Sequence, residues 1–192
     1  MSLVATAAAV LGALRASGVE GCLVGGLAVS VRCDPRFTRD VDLAIAVSSD
    51  EEAESVGRLL GSSGFRLDAL AEQEAVGRLA MVRLIANDGT TVDMLTASSG
   101  IEAEVVADAE ILEVTAGTVL SVARVGHLIA LKLLSVSPGR ETDMADLRNL
   151  AIVADDEEWD RAERAVARIE ERGFSRGRDL RESLRTLRAG QF

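Results

Sequence analysis

Val24-Gly-Gly-Leu-Ala-Val-Ser-Val-Arg-Cys-Asp-Pro-Arg-Phe-Thr-Arg-Asp-Val-Asp-Leu-Ala-Ile-Ala-Val47 decides how this chain is read. A glycine pair, Gly25 and Gly26, follows one apolar run, and an Asp-x-Asp pair, Asp40 and Asp42, enters a second. The acid pair reads as part of a buried strand reaching to Val47. Alternate strand residues share a face. Asp40, Asp42, Ala44 and Ala46 therefore fall on one side, and Val41, Leu43, Ile45 and Val47 on the other. Two carboxylates on one face of an apolar strand repel each other, and desolvation opposes ionisation of both. A divalent cation would relieve that cost, so Asp40 and Asp42 are candidate metal ligands. The plain alternative is a strand whose entry is merely acidic and solvated.

Working outward, helix 3–16 precedes a turn at Gly18, and 20–24 reads as a strand. Gly25-Gly26 opens a short helix to about residue 31, whose unpaired first N–H groups and dipole suit an anion. Residues 33–39 form a loop with Pro35. Ser48-Ser49-Asp50-Glu51-Glu52 has the capping residue and early acids of a helix start, and that helix stops near Gly61 or Gly64. Strands follow at 65–70, 79–86 and 91–95, the last two joined by the hairpin signal Asn87-Asp88-Gly89. A helix over 101–107 and a short strand over 111–114 come next. Helices alone are expected beyond, at 124–136, 142–154, 156–171 and 176–189. The fold class is α+β, a mixed sheet flanked by helices with a C-terminal helical segment. The division expected is a core over 1–122 and a helical subdomain over 123–192 that completes the site. In the tail, Ala162, Ala165, Val166 and Ile169 recur at helical spacing, as in a solvated hairpin lying on the domain.

The 192 residues, 48% of them hydrophobic, can bury a sizeable core, but with 3% aromatics it must be built from Leu, Val, Ile and Ala. Cys22 and Cys33 lack metal-site spacing and read as free thiols in a reducing cytosol, so a cytoplasmic location is expected. The apolar run Leu3 to Leu14 is too short to span a bilayer and lacks a basic leader, so no membrane association is expected. A formal charge of −10 argues against a broad nucleic-acid-binding surface, although Arg32, Arg36 and Arg39 cluster beside the Asp pair.

Among 21 basic residues Lys132 is the single lysine, set on the apolar run His127-Leu-Ile-Ala-Leu-Lys-Leu-Leu134. A compact ammonium and a planar guanidinium are not interchangeable at a phosphate. Downstream, Asp143 and Asp146 of Arg140-Glu-Thr-Asp-Met-Ala-Asp-Leu147 are spaced to share one helix face. Lys132 is expected to reach a phosphate oxygen or neutralise transition-state charge. Asp143 or Asp146 would orient Lys132 or Arg140, the competing reading being an ordinary surface ion pair. His127, the only histidine, reads as a partly buried helix residue.

The Gly-Gly turn and the Arg-x-Thr-x-Asp-x-Asp-Leu wording resemble the first motif of the polymerase-β-like nucleotidyltransferase superfamily, and most of all the AbiEii-type abortive-infection toxins. Lys132 followed by Arg140 and Asp-x-x-Asp-Leu is similar to the second signature of that branch. The resemblance implies a magnesium-dependent enzyme that moves a nucleoside monophosphate from an NTP to an acceptor and releases pyrophosphate. Gly25 and Gly26 would shape the triphosphate turn. Where much of the superfamily has Gly-Ser this chain has Gly-Gly, leaving phosphate contacts to backbone N–H groups and to Ser30 or Thr38. Arg36 and Arg39 would lie beside the triphosphate or an RNA end. Asp93, in Thr90-Thr-Val-Asp-Met-Leu-Thr96, would be the third acid, either binding two magnesium ions jointly with Asp40 and Asp42 or serving as general base. The implied acceptor is an RNA 3′ end or a protein, and the implied setting a toxin with a cognate antitoxin. An antibiotic-modifying small-molecule transferase and a silent nucleotide-binding scaffold are the alternatives.

Overall fold

The strand that begins at Val41 lies in the middle of a sheet. A computed structural model describes residues 2–136 and 141–191. Among them are strands β1 (Gly21–Val24), β2 (Val41–Ile45), β3 (Phe65–Gln73), β4 (Arg78–Ala86), β5 (Thr91–Leu95), β6 (Glu110–Thr115) and β7 (Thr118–Val122). They form one mixed sheet in the order β3-β4-β5-β2-β1-β7-β6. β2 runs parallel to β5 and antiparallel to β1, and β1 runs parallel to β7. The helices are α1 (Leu3–Ala16), α2 (Gly25–Arg32), α3 (Asp50–Ser62), α4 (Glu102–Ala107), α5 (Val125–Ser135), α6 (Glu141–Val153), α7 (Asp156–Glu171) and α8 (Leu180–Arg188). The α+β architecture, a mixed sheet flanked by helices with further helices at the C-terminal end, is the one the residue pattern implied.

Local chemistry accounts for these elements. Ser49 caps α3 by accepting from the Glu52 N–H at 3.2 Å, and Asp155 and Asp179 do the same for α7 and α8 at 2.9 and 2.8 Å. β2 buries Val41, Leu43 and Ile45 completely, and β5 alternates so that Val92 and Met94 are fully buried. Asp42 and Asp93 thereby project from the remaining face of two adjoining strands. α2 packs over β1 and β2 and is met from outside by α5 and α6. The core is mainly aliphatic, with Leu23, Leu43, Ile45, Leu84, Met94, Ile129 and Leu150 among its fully buried members and Phe65, Trp159 and Phe174 as its aromatic ones.

Three expectations are corrected. Asp40 stands one residue ahead of β2, on the loop and exposed, so the acid pair straddles the strand entry. Residues 118–122, left without structure in the sequence reading, form β7, paired to β6 through a hairpin with Gly117 at φ 76°. Val119 there is 61% exposed while Leu120 and Val122 are buried. An apolar residue on the solvent side obscures the two-residue period. The last helix starts at Leu180 and not at 176, because Gly173, Arg176 and Gly177 all have positive φ and left-handed residues interrupt a right-handed helix.

Candidate active site

The glycine bend and the acid strand touch. Gly25 has φ +63°, and a Cβ built on it would sit 2.5 Å from the Asp42 carboxyl carbon. A Cβ on Gly26 would meet Arg36 Nη2 at 2.6 Å and Thr38 Oγ1 at 3.0 Å. Only glycine permits this backbone angle without strain, and only its missing side chain lets Asp42, Arg36 and Thr38 close over the bend. The 33–40 loop is tied down by Ser30, whose hydroxyl donates to Gly26 O at 3.1 Å and accepts from the Arg36 N–H at 3.3 Å. Ser30 is thus engaged in holding the loop.

Asp42 and Asp93 are opposite one another in the β2–β5 register. Burial pushes the Asp42 carboxyl up to about 6, with the negative charges of Asp93 and Asp40 adding to the effect and Lys132 and the Gly26 N–H opposing it. The residue as a whole is half-buried; its carboxylate is the crowded part. Asp93 has a partner of its own. Arg83, across the β4–β5 pair, grips it with two hydrogen bonds of 2.7 and 2.8 Å. Among the described residues no group of three or more His, Cys, Asp or Glu side chains is arranged to hold a metal ion.

Lys132, Asp143, Asp146 and Arg36 are joined in one charge network. Lys132 Nζ lies 2.7 Å from Asp143 Oδ1 and 2.8 Å from Asp146 Oδ2, so both acids hold it. Arg36 grips the same Asp146 through Nε and Nη2 at 2.5 and 2.7 Å. Asp146 is fully buried, and its two cationic partners are what make that tolerable.

These elements border a cleft of about 310 Å³ lined by Gly25, Gly26, Arg36, Thr38, Asp40, Asp42, Lys132 and Asp143, at the small end of the roughly 300–1,000 Å³ usual for ligand sites. Ser30, Arg39, Asp93 and Asp146 are not part of its lining. Arg39 is exposed and stacks on Phe37 with 5.7 Å between guanidinium carbon and ring centre. Arg32 is tied to Glu110 at 2.5 Å and to the Ala123 and Val122 carbonyls. Of the clustered arginines, Arg32 and Arg36 are therefore internally neutralised. Arg140 lies outside the described residues. His127 is buried away from the cleft, its pKa pushed down to about 4 by burial. Sequence reading overlooked Ser98, Ser99 and Arg176, which also line the cleft. The Ser98-Ser99-Gly100 stretch, a few residues after the end of β5, was a usable signal for the serines, since ligands gather at strand ends.

No family model matches the chain, and no curated protein matches it. Solved structures do. An antigenic nucleotidyltransferase-like protein from Paracoccidioides brasiliensis superposes with TM-score 0.53 at 19% identity, over 95% of this chain and 92% of that one. ANT(2")-Ia, solved in complex with adenylyl-2"-tobramycin, superposes with TM-score 0.55 at 18% identity, over 88% of this chain and 97% of that one. The chain therefore has a nucleotidyltransferase-like fold.

Proposed function

We propose that this protein is a magnesium-dependent nucleotidyltransferase that transfers a nucleoside monophosphate from an NTP to an acceptor. The observation that carries the reading is the contact between Gly25 and Asp42: the phosphate-binding bend and the buried acid are two walls of one cleft. The fold supports it. The acceptor hydroxyl oxygen bonds to the α-phosphorus and gives up its proton to solvent, the bond from that phosphorus to the oxygen bridging to the β-phosphate breaks, and pyrophosphate leaves with that electron pair.

The donor set fits a hard cation in part. Asp42 and Asp40 border the cleft, and the crowding that raises the Asp42 pKa is relieved by positive charge. Asp93 is already paired with Arg83 and lies outside the cleft lining, so the described arrangement suits one ion better than the two expected from the sequence. Magnesium, when bound, would supply charge that holds the triphosphate and polarises the reacting phosphorus. The chain's own groups do the rest. The remaining N–H groups at the start of α2 and the Thr38 hydroxyl receive phosphate oxygens, the Gly26 N–H being taken by Asp42. Lys132, fixed by Asp143 and Asp146, favours the ionised form of Asp42 against the burial that opposes it. Asp93, gripped by Arg83, is poorly placed to act as general base.

The toxin-like setting, with an antitoxin and an RNA or protein acceptor, rests on the sequence resemblance. A second reading, a small-molecule acceptor, is favoured by one observation: Arg32 and Arg36 are neutralised within the protein, which leaves little basic track for a long polyanion on a chain of charge −10. The test is incubation with each labelled NTP, magnesium and, separately, total RNA, cell protein and a panel of hydroxyl-bearing small molecules. Label in one fraction identifies the acceptor class. Transfer that persists in Asp42→Ala would overturn the assignment.

A further inference from the structure

We infer that Arg176, on the connection between α7 and α8, is a cation that binds the triphosphate in this cleft; the inference rests on the nucleotide-transfer reading. Among the described residues three cations line the cleft: Arg36, Lys132 and Arg176. The first two are each ion-paired with carboxylates, Arg36 with Asp146 and Lys132 with Asp143 and Asp146, which weakens their pull on an incoming anion. Arg176 differs. Among the described residues no carboxylate lies within ion-pair distance of it. Its hydrogen bonds are two, both from Nη2, to the Ser98 carbonyl and hydroxyl at 3.0 Å each. Nε and Nη1 keep their donors for a ligand, and a guanidinium fork matches phosphate oxygens.

The backbone is built to present this side chain. Arg176 has φ +56°, the one non-glycine residue with positive φ among those described. Gly177 beside it has φ +72°. An arginine retained in a conformation that suits glycine is an outlier that calls for a role. The connection is bolted on both sides. Arg172 pairs with Glu104 at 2.5 Å and donates to the Gly100 carbonyl. Phe174 packs where a Cβ on Gly100 would come within 2.5 Å of its ring. Arg178 donates to the Leu133 and Val136 carbonyls, at the end of the helix that bears Lys132. The tail thus places a cation without a carboxylate partner in a cleft where, among the described residues, Asp40 and Asp42 form no ion pair, a pairing suited to a metal–triphosphate.

The test compares the wild type with Arg176→Gly, which fits the backbone angle and removes only the side chain, and with Arg176→Lys. Affinities are measured for ATP, GTP, CTP and UTP with magnesium, for inorganic tripolyphosphate, and for the corresponding neutral nucleosides. Arg176→Gly should melt no lower than the wild type, bind tripolyphosphate and the preferred NTP about tenfold or more weakly, and bind the nucleoside unchanged. Arg176→Lys should recover part of the loss. A merely structural role would weaken nucleoside and triphosphate alike and lower the melting temperature, and either that pattern or unchanged tripolyphosphate affinity overturns the inference, as does a wild type that fails to bind tripolyphosphate. Arg176-dependent tripolyphosphate binding without nucleotide transfer to any acceptor would sink the transferase reading and leave this one standing. Transfer with an unaltered KM for NTP in Arg176→Gly would do the reverse.

Discussion

Replacing Asp42 by asparagine should make the metal-free protein more stable while abolishing transfer. The carboxyl is moved from its ordinary 3.8 to about 6. Folding therefore raises its proton affinity, and between these two pH values the native state holds more protons than the unfolded chain. Stability then falls as pH rises through that window, and above pH 6 the deficit is complete. A difference of about two pH units at about 1.4 kcal/mol each is about 3 kcal/mol. Asparagine keeps an acceptor oxygen for the Gly26 N–H and carries no charge. For a domain of this size 1 kcal/mol moves the melting temperature by roughly 2–4 °C. In EDTA at pH 7.5 the variant should melt about 6 °C or more above the wild type, and the two should converge near pH 4. Magnesium should raise the wild-type melting temperature and leave the variant unmoved. A variant that melts at or below the wild type at pH 7.5 would refute the claim that Asp42 is a destabilising, functionally retained charge.

Gly25→Ala should lose transfer and NTP-dependent stabilisation together, since its methyl group displaces the Asp42 carboxyl and the positive φ adds about 1–2 kcal/mol of strain; preserved turnover would separate the bend from the acid. Asp146→Ala leaves Arg36 and Lys132 short of their buried partner and should lower stability by about 3 kcal/mol, read from the shift in urea midpoint. For His127, folding lowers the pKa from 6.5 to about 4, so the stabilisation is present above pH 6.5 and lost as pH falls toward 4. His127→Leu should flatten that acid limb by about 3 kcal/mol. Equal pH slopes in the two proteins would show that the histidine is solvated.

Element types were legible wherever the residue period was clean. The two-residue period of β5, the capping residue of α3 and the helical spacing of apolar residues in α7 marked those elements before any tertiary contact was known. β7 was hidden by Val119 on its solvent side, and the start of α8 by a left-handed turn that no local pattern announced. The candidate site was legible in its glycine bend and in Asp42, because bend and strand lie close together in the chain. It was less so in its cations. Asp40 and Asp42 read as a matched pair, yet only Asp42 sits in the strand and is crowded.

The sequence by itself determined the α+β order of elements, the face on which Asp42 and Asp93 stand, and the glycine pair beside them. These follow from alternation and capping over a few residues. Tertiary structure decided which charges are cancelled and which are left over. Arg36 meets Asp146 across 110 residues, and Arg176 meets Ser98 across 78. Arg83 takes Asp93 through a strand pairing. An ion pair has no period along a chain, so its partners become known only when packing brings distant segments together.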